Sequence, residues 1–317
     1  MRNIATCYSE HAVRVSDSYC SGPLNKSYIS PKSIPAVQSA VSQTFKAKIN
    51  GENRLLATVT WCNKLICQGF FLKLSHNNHP TTTGSSHHHQ MGKHKGSKRV
   101  EFDEKGSDNA HVFWDLSSAR FESGPEPLGS FYIIIVLADS QTALFLGDME
   151  DDPNVRNLVN GYDIRTLSLI SQYEHFNGQW SNPISTRVRF GGSGSEHEIT
   201  IKCSPEEDGP RSPVLSISID KKRVVRVKRL QWNFRGNQVI FVDGLLVDVM
   251  WDVIGWFFDH QSGKNNSNSG LFMFRTRSGL DSRLWLEEEE KKFAHQNQNH
   301  DKPEFALLIS ASSKNPG

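Results

Sequence analysis

The sequence is poor in the features that define several protein classes. Its 317 residues contain only five cysteines, an odd number spread along the chain: Cys7, Cys20, Cys62, Cys67 and Cys203. These are too few and too scattered for a disulfide scaffold. The formal net charge is only +2 at pH 7. That charge provides no overall attraction to nucleic acid or membranes, so any such binding requires a local patch.

Long apolar runs are also missing. The longest one, Phe131 to Ala138, is far shorter than the roughly 20 residues that cross a bilayer. The N-terminal stretch through Cys20 lacks the apolar segment of a secretory signal. We therefore expect a soluble intracellular protein with reduced thiols, in the cytoplasm, the nucleus or both.

Motifs for catalysis and metal binding are not recognisable either. The chain has no Gly-x-Ser-x-Gly, no phosphate-cradling glycine loop and no second Cys or His pair at zinc spacing to accompany Cys62 and Cys67. Six histidines fall between His76 and His94, but without carboxylate or thiolate partners at fixed spacing. The acids in "LGDMEDDP" precede a helix-like segment and are better explained as N-terminal caps than as calcium ligands. We therefore predict no catalytic residues, no metal site and no cofactor.

What the sequence does contain is one short β-like segment after another. These segments are rich in β-branched and aromatic residues and end at turn residues. They predict an all-β fold of two duplicated antiparallel β-sandwich or half-barrel units, with a linking α-helix and a short C-terminal helix. The predicted divisions are a loosely ordered arm over 1–36, a first β unit over 37–150, a linking helix over 151–176, and a second β unit over 177–317 that includes the C-terminal helix and a closing strand.

The two predicted helices have different signatures. Apolar residues from Val155 to Tyr173 recur mostly three or four apart after a run of acids, which favours an amphipathic helix. "SRLWLEEEEKKFAH", residues 282–295, places acids before bases at neighbouring helical positions.

The predicted duplication depends on a repeated Trp-Asp pair. "HVFWDL" begins at His111 and "DVMWDV" at Asp248. When "KRVEFDEKGS" from Lys98 is aligned with "KRLQWNFRGN" from Lys228, further matches follow in the same order. Alternation places each Trp on the apolar side of its strand and each Asp at the strand end, where it can cap a turn.

The densest charge lies in "DKKRVVRVKRLQWNFRG", where seven cations accompany a single acid. A change in apolar parity predicts a bulge near Lys228 and Arg229. A basic strand face could bind phosphates, whereas a solvated outer face with edge-protecting cations is the competing explanation. The predicted binding residues are Arg187, Arg189, Lys221, Lys222, Arg226, Lys228, Arg229 and Arg235.

Several longer segments resemble a known plant family. They are "VFWDLSSARFESGPEPLGSFYIIIV", "STRVRF", "SISIDKKRVVRVKRLQWNFRGNQVIFVDGLLVDVMWDV" and "FMFRTRS". The family is catalogued as domain of unknown function 868, and the resemblance runs from about Ile4 to the final predicted strand. It implies an intracellular protein of a land plant. The family has no established activity, so the resemblance implies no catalytic residues.

Three functions are compatible with these patterns. The leading hypothesis is a non-enzymatic interaction module that binds a protein, or an anionic lipid or other phosphate-bearing ligand, through the basic strand. The first alternative is an enzyme or small-ligand carrier that uses a cleft between the two β units. The second is a peripheral module on anionic membranes. No paired aromatic RNA-binding signature accompanies the basic stretch, so nucleic acid is not expected.

Overall fold

The structure is a computed structural model that describes residues 35–49, 54–62, 69–76, 88–92, 94–102, 109–138, 141–191, 194–205, 213–257, 269–277 and 305–312. Strands hold 67% of these residues and helices 5%, which confirms the predicted all-β class. The C-terminal helix predicted over 282–295 lies outside the described residues, as does the arm predicted over 1–36 apart from its last two residues.

The first half of the chain forms ten strands, which we call the first β unit. Their bounds are β1 (Val37–Lys48), β2 (Arg54–Cys62), β3 (Phe70–His76), β4 (His89–Met91), β5 (Lys95–Glu101), β6 (Asn109–Asp115), β7 (Arg120–Phe121), β8 (Pro127–Gly129), β9 (Tyr132–Leu137) and β10 (Thr142–Gly147).

A short linking region leads to a second β unit, which runs from β13 to β20. The link is α1 (Pro153–Val159), β11 (Asp163–Thr166) and β12 (Ser168–Asn177). The second unit contains β13 (Ile184–Val188), β14 (His197–Pro205), β15 (Pro213–Ile219), β16 (Lys222–Val227), β17 (Arg235–Val242), β18 (Leu245–Asp252), α2 (Ile254–Phe257), β19 (Ser269–Thr276) and β20 (Ala306–Ser312).

The strands form two packed cores. In the first unit, β1 to β4 face β5, β6, β9 and β10, and the core lies between them. In the second unit, the sheet β13-β14-β15-β16 faces β17 to β20. One nine-stranded sheet, ordered β17-β18-β19-β20-β12-β1-β2-β3-β4, contributes to both cores. The predicted closing strand is β20, which lies between β19 and β12 in this sheet.

Strand β9 is buried on both of its faces. Ile133 and Ile135 point into the first core. Tyr132, Ile134 and Val136 point outward against α1, whose apolar side covers that part of the sheet. Burial on both faces explains why this strand is continuously apolar instead of alternating.

The linking helix is much shorter than predicted. Asp152 caps α1 by accepting the N–H of Asn154 at 2.8 Å, and Pro153 occupies the first turn. The helix ends at Val159, and Gly161 then adopts a φ of 85°. The prediction of helix through residue 176 is wrong because β12 alternates buried and exposed residues and pairs with β1 and β20. The apolar residues of this segment are spaced in a way that fits both a helix and a strand. The backbone hydrogen bonds to β1 and β20 decide in favour of the strand.

The two Trp-Asp strands share a contact with a glycine of the neighbouring strand. Trp114 lies across from Gly96 of β5, and Trp251 lies across from Gly236 of β17. Both indole rings contact the glycine opposite, since a Cβ on either glycine would collide with the ring.

Both aspartates cap turns, as predicted. Asp115 accepts the N–H of Ser117 at 2.9 Å, and Asp252 accepts the N–H of Ile254 at 3.2 Å. The alignment of "KRVEFDEKGS" with "KRLQWNFRGN" is wrong, because residues 98–101 lie within β5 whereas residues 228–234 precede β17. The internal duplication itself stays a prediction.

Candidate functional site

The outer side of the sheet β13-β14-β15-β16 holds the candidate site. Residues in these strands alternate between the second core and the outside. On the outside, Lys202 of β14 lies across from Ser216 of β15, which lies across from Arg226 of β16. The next row consists of Thr200, Ser218 and Arg223. We call these six residues the basic face.

The geometry lets the three cations of the basic face act on one ligand. Adjacent strands lie about 4.8 Å apart, so the backbones of Lys202 and Arg226 are separated by roughly 10 Å. Long flexible side chains span this distance. The serine and threonine hydroxyls between them can donate or accept hydrogen bonds. The arrangement suits an anion that presents several oxygens.

No carboxylate among the described residues forms an ion pair with Lys202, Arg223 or Arg226. Elsewhere in the described part of the chain, exposed cations do have such partners. Lys95 lies 3.2 Å from Asp115, and Arg156 lies 2.6 Å from Asp151. The basic face is therefore a cluster of cations without ion pairs in the described ranges, and Glu198 on the same side of β14 accepts the hydroxyl of Ser185 at 3.0 Å instead.

The structure divides the eight predicted binding residues into two groups. Arg187 and Arg189 have acidic partners, Glu122 at 3.4 Å and Glu196 at 4.0 Å. Arg235 lies in β17, in the opposite sheet, and contacts Asp252 at 2.7 Å. The other five lie along β16 and at its two ends: Lys221, Lys222, Arg226, Lys228 and Arg229.

Two of the three cations of the basic face, Lys202 and Arg223, were not among the predicted binding residues. Lys202 was missed because a single lysine in "EITIKC" gives no charge run. The alternation of apolar and polar residues along this strand would have placed Lys202 on the outer side, since Ile201 and Cys203 on either side of it are buried. Arg223 was recognised as part of the charge run, but the pairing with Ser218 that places it on this face follows a register shift near Ile217.

A tightly bonded loop follows β16, where the sequence predicted a bulge within one strand. The bulge prediction is wrong because β16 ends at Val227 and the chain crosses to the opposite sheet. Arg229 has a φ of 54°, and its carbonyl accepts the N–H groups of Trp232 at 2.9 Å and Asn233 at 3.1 Å. Leu230 is fully buried, whereas the side chain of Trp232 is 78% exposed.

His197 joins the ends of the two sheets in the second unit. Its Nδ1 lies 2.6 Å from Oδ2 of Asp220, and its Nε2 lies 2.9 Å from Oδ2 of Asp243. The hydrogen bond to Asp220 is the main cause that raises the pKa of His197, and the same contacts lower the pKa values of both aspartates. Both ring nitrogens are occupied by carboxylates, so this imidazole cannot also accept a proton from a nucleophile.

Each aspartate of this clamp lies in a two-residue turn with positive φ at both positions. The turns are Asp220–Lys221 between β15 and β16, and Asp243–Gly244 between β17 and β18. Such type I′ turns match the twist of hairpin strands. The His197 clamp therefore holds two facing hairpins together and is structural.

A second titratable cluster lies at the junction of the two units. The carboxylate of Glu174 in β12 is completely buried and accepts hydrogen bonds from Gln38, Gln172 and Thr186 at 2.6–2.8 Å. Burial raises its pKa to about 7. Burial also raises the pKa of the neighbouring Glu126. Sequence reasoning missed this cluster because the segment was interpreted as a helix.

The described residues also form a cleft of about 520 Å³ on the outer side of the first unit, beside α1. Arg99, His111, Phe113 and Tyr162 line it, and no carboxylate does. It does not lie between the two β units, where the predicted ligand-carrier alternative requires a cleft. Within the described ranges, no three metal-ligating side chains converge.

Neither of the two described helices, of seven and four residues, is long enough to cross a membrane. Comparison with known families matches residues 36–313 to the family described as "Plant protein of unknown function (DUF868)". No curated protein and no solved structure matches the chain. The description of this family assigns no activity to it.

Proposed function

We propose that this chain, which belongs to the plant protein family of unknown function DUF868, is a non-enzymatic interaction module that binds a phosphate-bearing partner through the basic face. The observation that carries the proposal is the placement of Lys202, Arg223 and Arg226 around hydroxyl side chains without acidic partners among the described residues.

Phosphate is the anion that this chemistry fits best. The guanidinium groups of Arg223 and Arg226 can each donate two parallel hydrogen bonds to phosphate oxygens. Lys202 adds a compact point charge, and Ser216 and Ser218 add neutral hydrogen bonds between the cations. Exposed groups of this kind exchange partners with water readily, which suits reversible binding.

Edge protection does not account for the whole basic face. β16 is the edge strand of its sheet, so cations there would discourage pairing with another chain. β14, however, is an internal strand flanked by β13 and β15. Lys202 therefore protects no edge, and its alignment with Arg226 across Ser216 favours a binding role.

The remaining polar clusters support a non-enzymatic role. His197 has both ring nitrogens engaged, and Glu174 is buried with its oxygens satisfied. The lining residues of the cleft beside α1 include one imidazole, one guanidinium and one phenol, but no carboxylate, serine, threonine or cysteine. None of these arrangements places an accessible base next to a serine, threonine or cysteine nucleophile.

Isothermal titration with inositol hexakisphosphate, a soluble polyphosphate, tests the proposal. We expect the wild type to bind with an affinity that falls steeply with salt. The double substitution Lys202→Glu and Arg226→Glu should weaken binding at least about tenfold, because phosphate contacts become repulsive. The matched control is Lys98→Glu with Arg99→Glu, which makes the same charge change on exposed residues of β5. Equal losses in both variants would refute the proposal.

A further inference from the structure

We infer that the phosphate groups are presented by an anionic bilayer surface, and that Trp232 anchors the protein in the interfacial layer of that bilayer. The inference rests on the proposed function. It adds a partner and a residue that charge patterning alone does not identify.

The position of Trp232 carries the inference. Trp232 is 78% exposed, on a loop that is held by several hydrogen bonds. Leu230 anchors this loop in the second core, and the side-chain amide of Asn233 donates to the carbonyl of Lys228 at 2.9 Å. The carbonyl of Asn233 in turn accepts the indole N–H of Trp251 at 3.1 Å. These hydrogen bonds hold the backbone that carries the indole, so the exposure of Trp232 is a feature of the fold.

The loop is continuous with the basic face. Arg226 is the second-last residue of β16, and Lys228 and Arg229 follow before Trp232. Tryptophan is enriched at the membrane–water interface because its ring is apolar and its N–H is polar. Cations beside it are attracted to the negative surface of anionic lipids. The two features together match a bilayer better than a soluble anion.

The chemistry of the basic face disfavours a phosphorylated peptide as partner. Arginine clusters also recognise phosphorylated peptides, and specificity for a peptide then requires further contacts, such as a pocket for a neighbouring side chain. Between the cations of the basic face lie Thr200, Ser216 and Ser218, which form a hydroxyl surface and no such pocket. A surface that carries many phosphates needs no pocket.

The chain offers a matched control for Trp232. Phe241 is 76% exposed, at the far end of β17 from the loop. It precedes the Asp243–Gly244 turn, which is bound to His197 and contains no lysine or arginine. If exposure of an aromatic side chain were sufficient for membrane binding, Phe241 would serve as well as Trp232.

Co-sedimentation with vesicles tests the inference. The probes are vesicles of phosphatidylcholine alone and of phosphatidylcholine mixed with phosphatidylserine. We expect the wild type to sediment only with the mixed vesicles, and less so at high salt. Trp232→Ser should lower partitioning about tenfold, the effect of removing one buried apolar side chain, and should leave binding of inositol hexakisphosphate unchanged. Phe241→Ser should match the wild type in both assays.

The outcomes separate the two proposals. The bilayer inference is refuted if Trp232→Ser and Phe241→Ser both partition like the wild type. It is also refuted if the wild type binds inositol hexakisphosphate but does not sediment with the mixed vesicles. In either case the proposed phosphate binding by the basic face is retained. If Lys202→Glu with Arg226→Glu alters neither assay, the proposed function fails as well. Unchanged thermal unfolding of each variant confirms that loss of binding is not loss of fold.

Discussion

Strands β5, β6, β9 and β10 of the first unit lie in the same order as β17, β18, β19 and β20 of the second. In each set the last strand also pairs in parallel with a strand of the linking region, β10 with β11 and β20 with β12. A glycine faces a tryptophan across the first pair of strands in both units. In both units, the cation before that glycine forms an ion pair with the aspartate after the tryptophan: Lys95 with Asp115, and Arg235 with Asp252.

The outer faces of the two units differ. On β1 and β2, hydroxyl groups bond to each other across the strands, Ser42 with Thr60 at 2.8 Å and Thr44 with Thr58 at 3.1 Å. On β14 to β16, hydroxyls lie between cations that have no acidic partner in the described ranges. The shared contacts therefore build the scaffold of both units, while the proposed binding chemistry belongs to the second unit alone.

Removing the tryptophans is expected to have the largest effect and to reveal unequal roles. Trp114 is 6% exposed in the first core, so Trp114→Ala should lower the free energy of unfolding by about 4 kcal/mol. Trp251 is only half-buried, so Trp251→Ala should cost about 2 kcal/mol less than that. Urea denaturation measures both values. Equal losses would show that the two strands are energetically equivalent despite their different burial.

The second prediction concerns the junction between the units. Glu174 has a pKa of about 7 in the folded protein and an ordinary value of 4.5 when exposed. Between these values the folded state keeps the proton and the unfolded state loses it, so the free energy of unfolding should fall as pH rises. The total loss is about 3 kcal/mol, complete above pH 7 and absent below 4.5. Glu126, whose pKa is also raised, adds to the slope in the same direction.

Denaturant titrations across this pH range measure the slope. Glu174→Gln should remove most of it, because the amide does not titrate. Glu122→Gln is the control, since Glu122 is 58% exposed on its ion pair with Arg187. A slope that persists in Glu174→Gln would assign the pH dependence to another group.

The third prediction tests the shared glycine–tryptophan contact. A Cβ added to Gly96 would lie 2.6 Å from the ring of Trp114, and one added to Gly236 would overlap the ring of Trp251. Gly96→Ala and Gly236→Ala should each cost about 2 kcal/mol through overpacking. Gly92→Ala is the matched control, because its Cβ would meet Trp114 at an ordinary 3.9 Å. If only one of the two substitutions is costly, the units do not share this contact in solution.

The smallest expected effect concerns the His197 clamp, which belongs to the second unit. The pKa of His197 is raised, so the clamp stabilises the fold at pH values below the ordinary value of 6.5. That contribution should disappear as pH rises through the raised pKa. His197→Asn should lower the free energy of unfolding by about 1 kcal/mol in acid and by less in alkali. Thermal unfolding at two pH values measures the difference, and an equal loss at both would contradict a charge-dependent clamp.

Much of the architecture could be predicted from residue patterns. The all-β class, the closing strand and the burial of Trp114 are confirmed, because each depends on alternation within a few residues. The helix over 151–176 failed because its apolar spacing fits two periods, and only pairing with strands β1 and β20 decides between them. The partners of Arg187 and Arg235 and the burial of Glu174 could not be predicted, because they depend on contacts between distant segments.

The parallel pairing of β12 with β20 has a consequence for biosynthesis. Residues 171–177 form a ladder with residues 306–312, and β20 also closes onto β19. During translation, β12 leaves the ribosome long before its neighbour, so one edge of β12 stays unpaired while the second unit is made. Contacts of such large sequence separation slow folding and expose strand edges to other chains. Premature termination before residue 306 should therefore produce chains that aggregate instead of folding as a smaller stable protein.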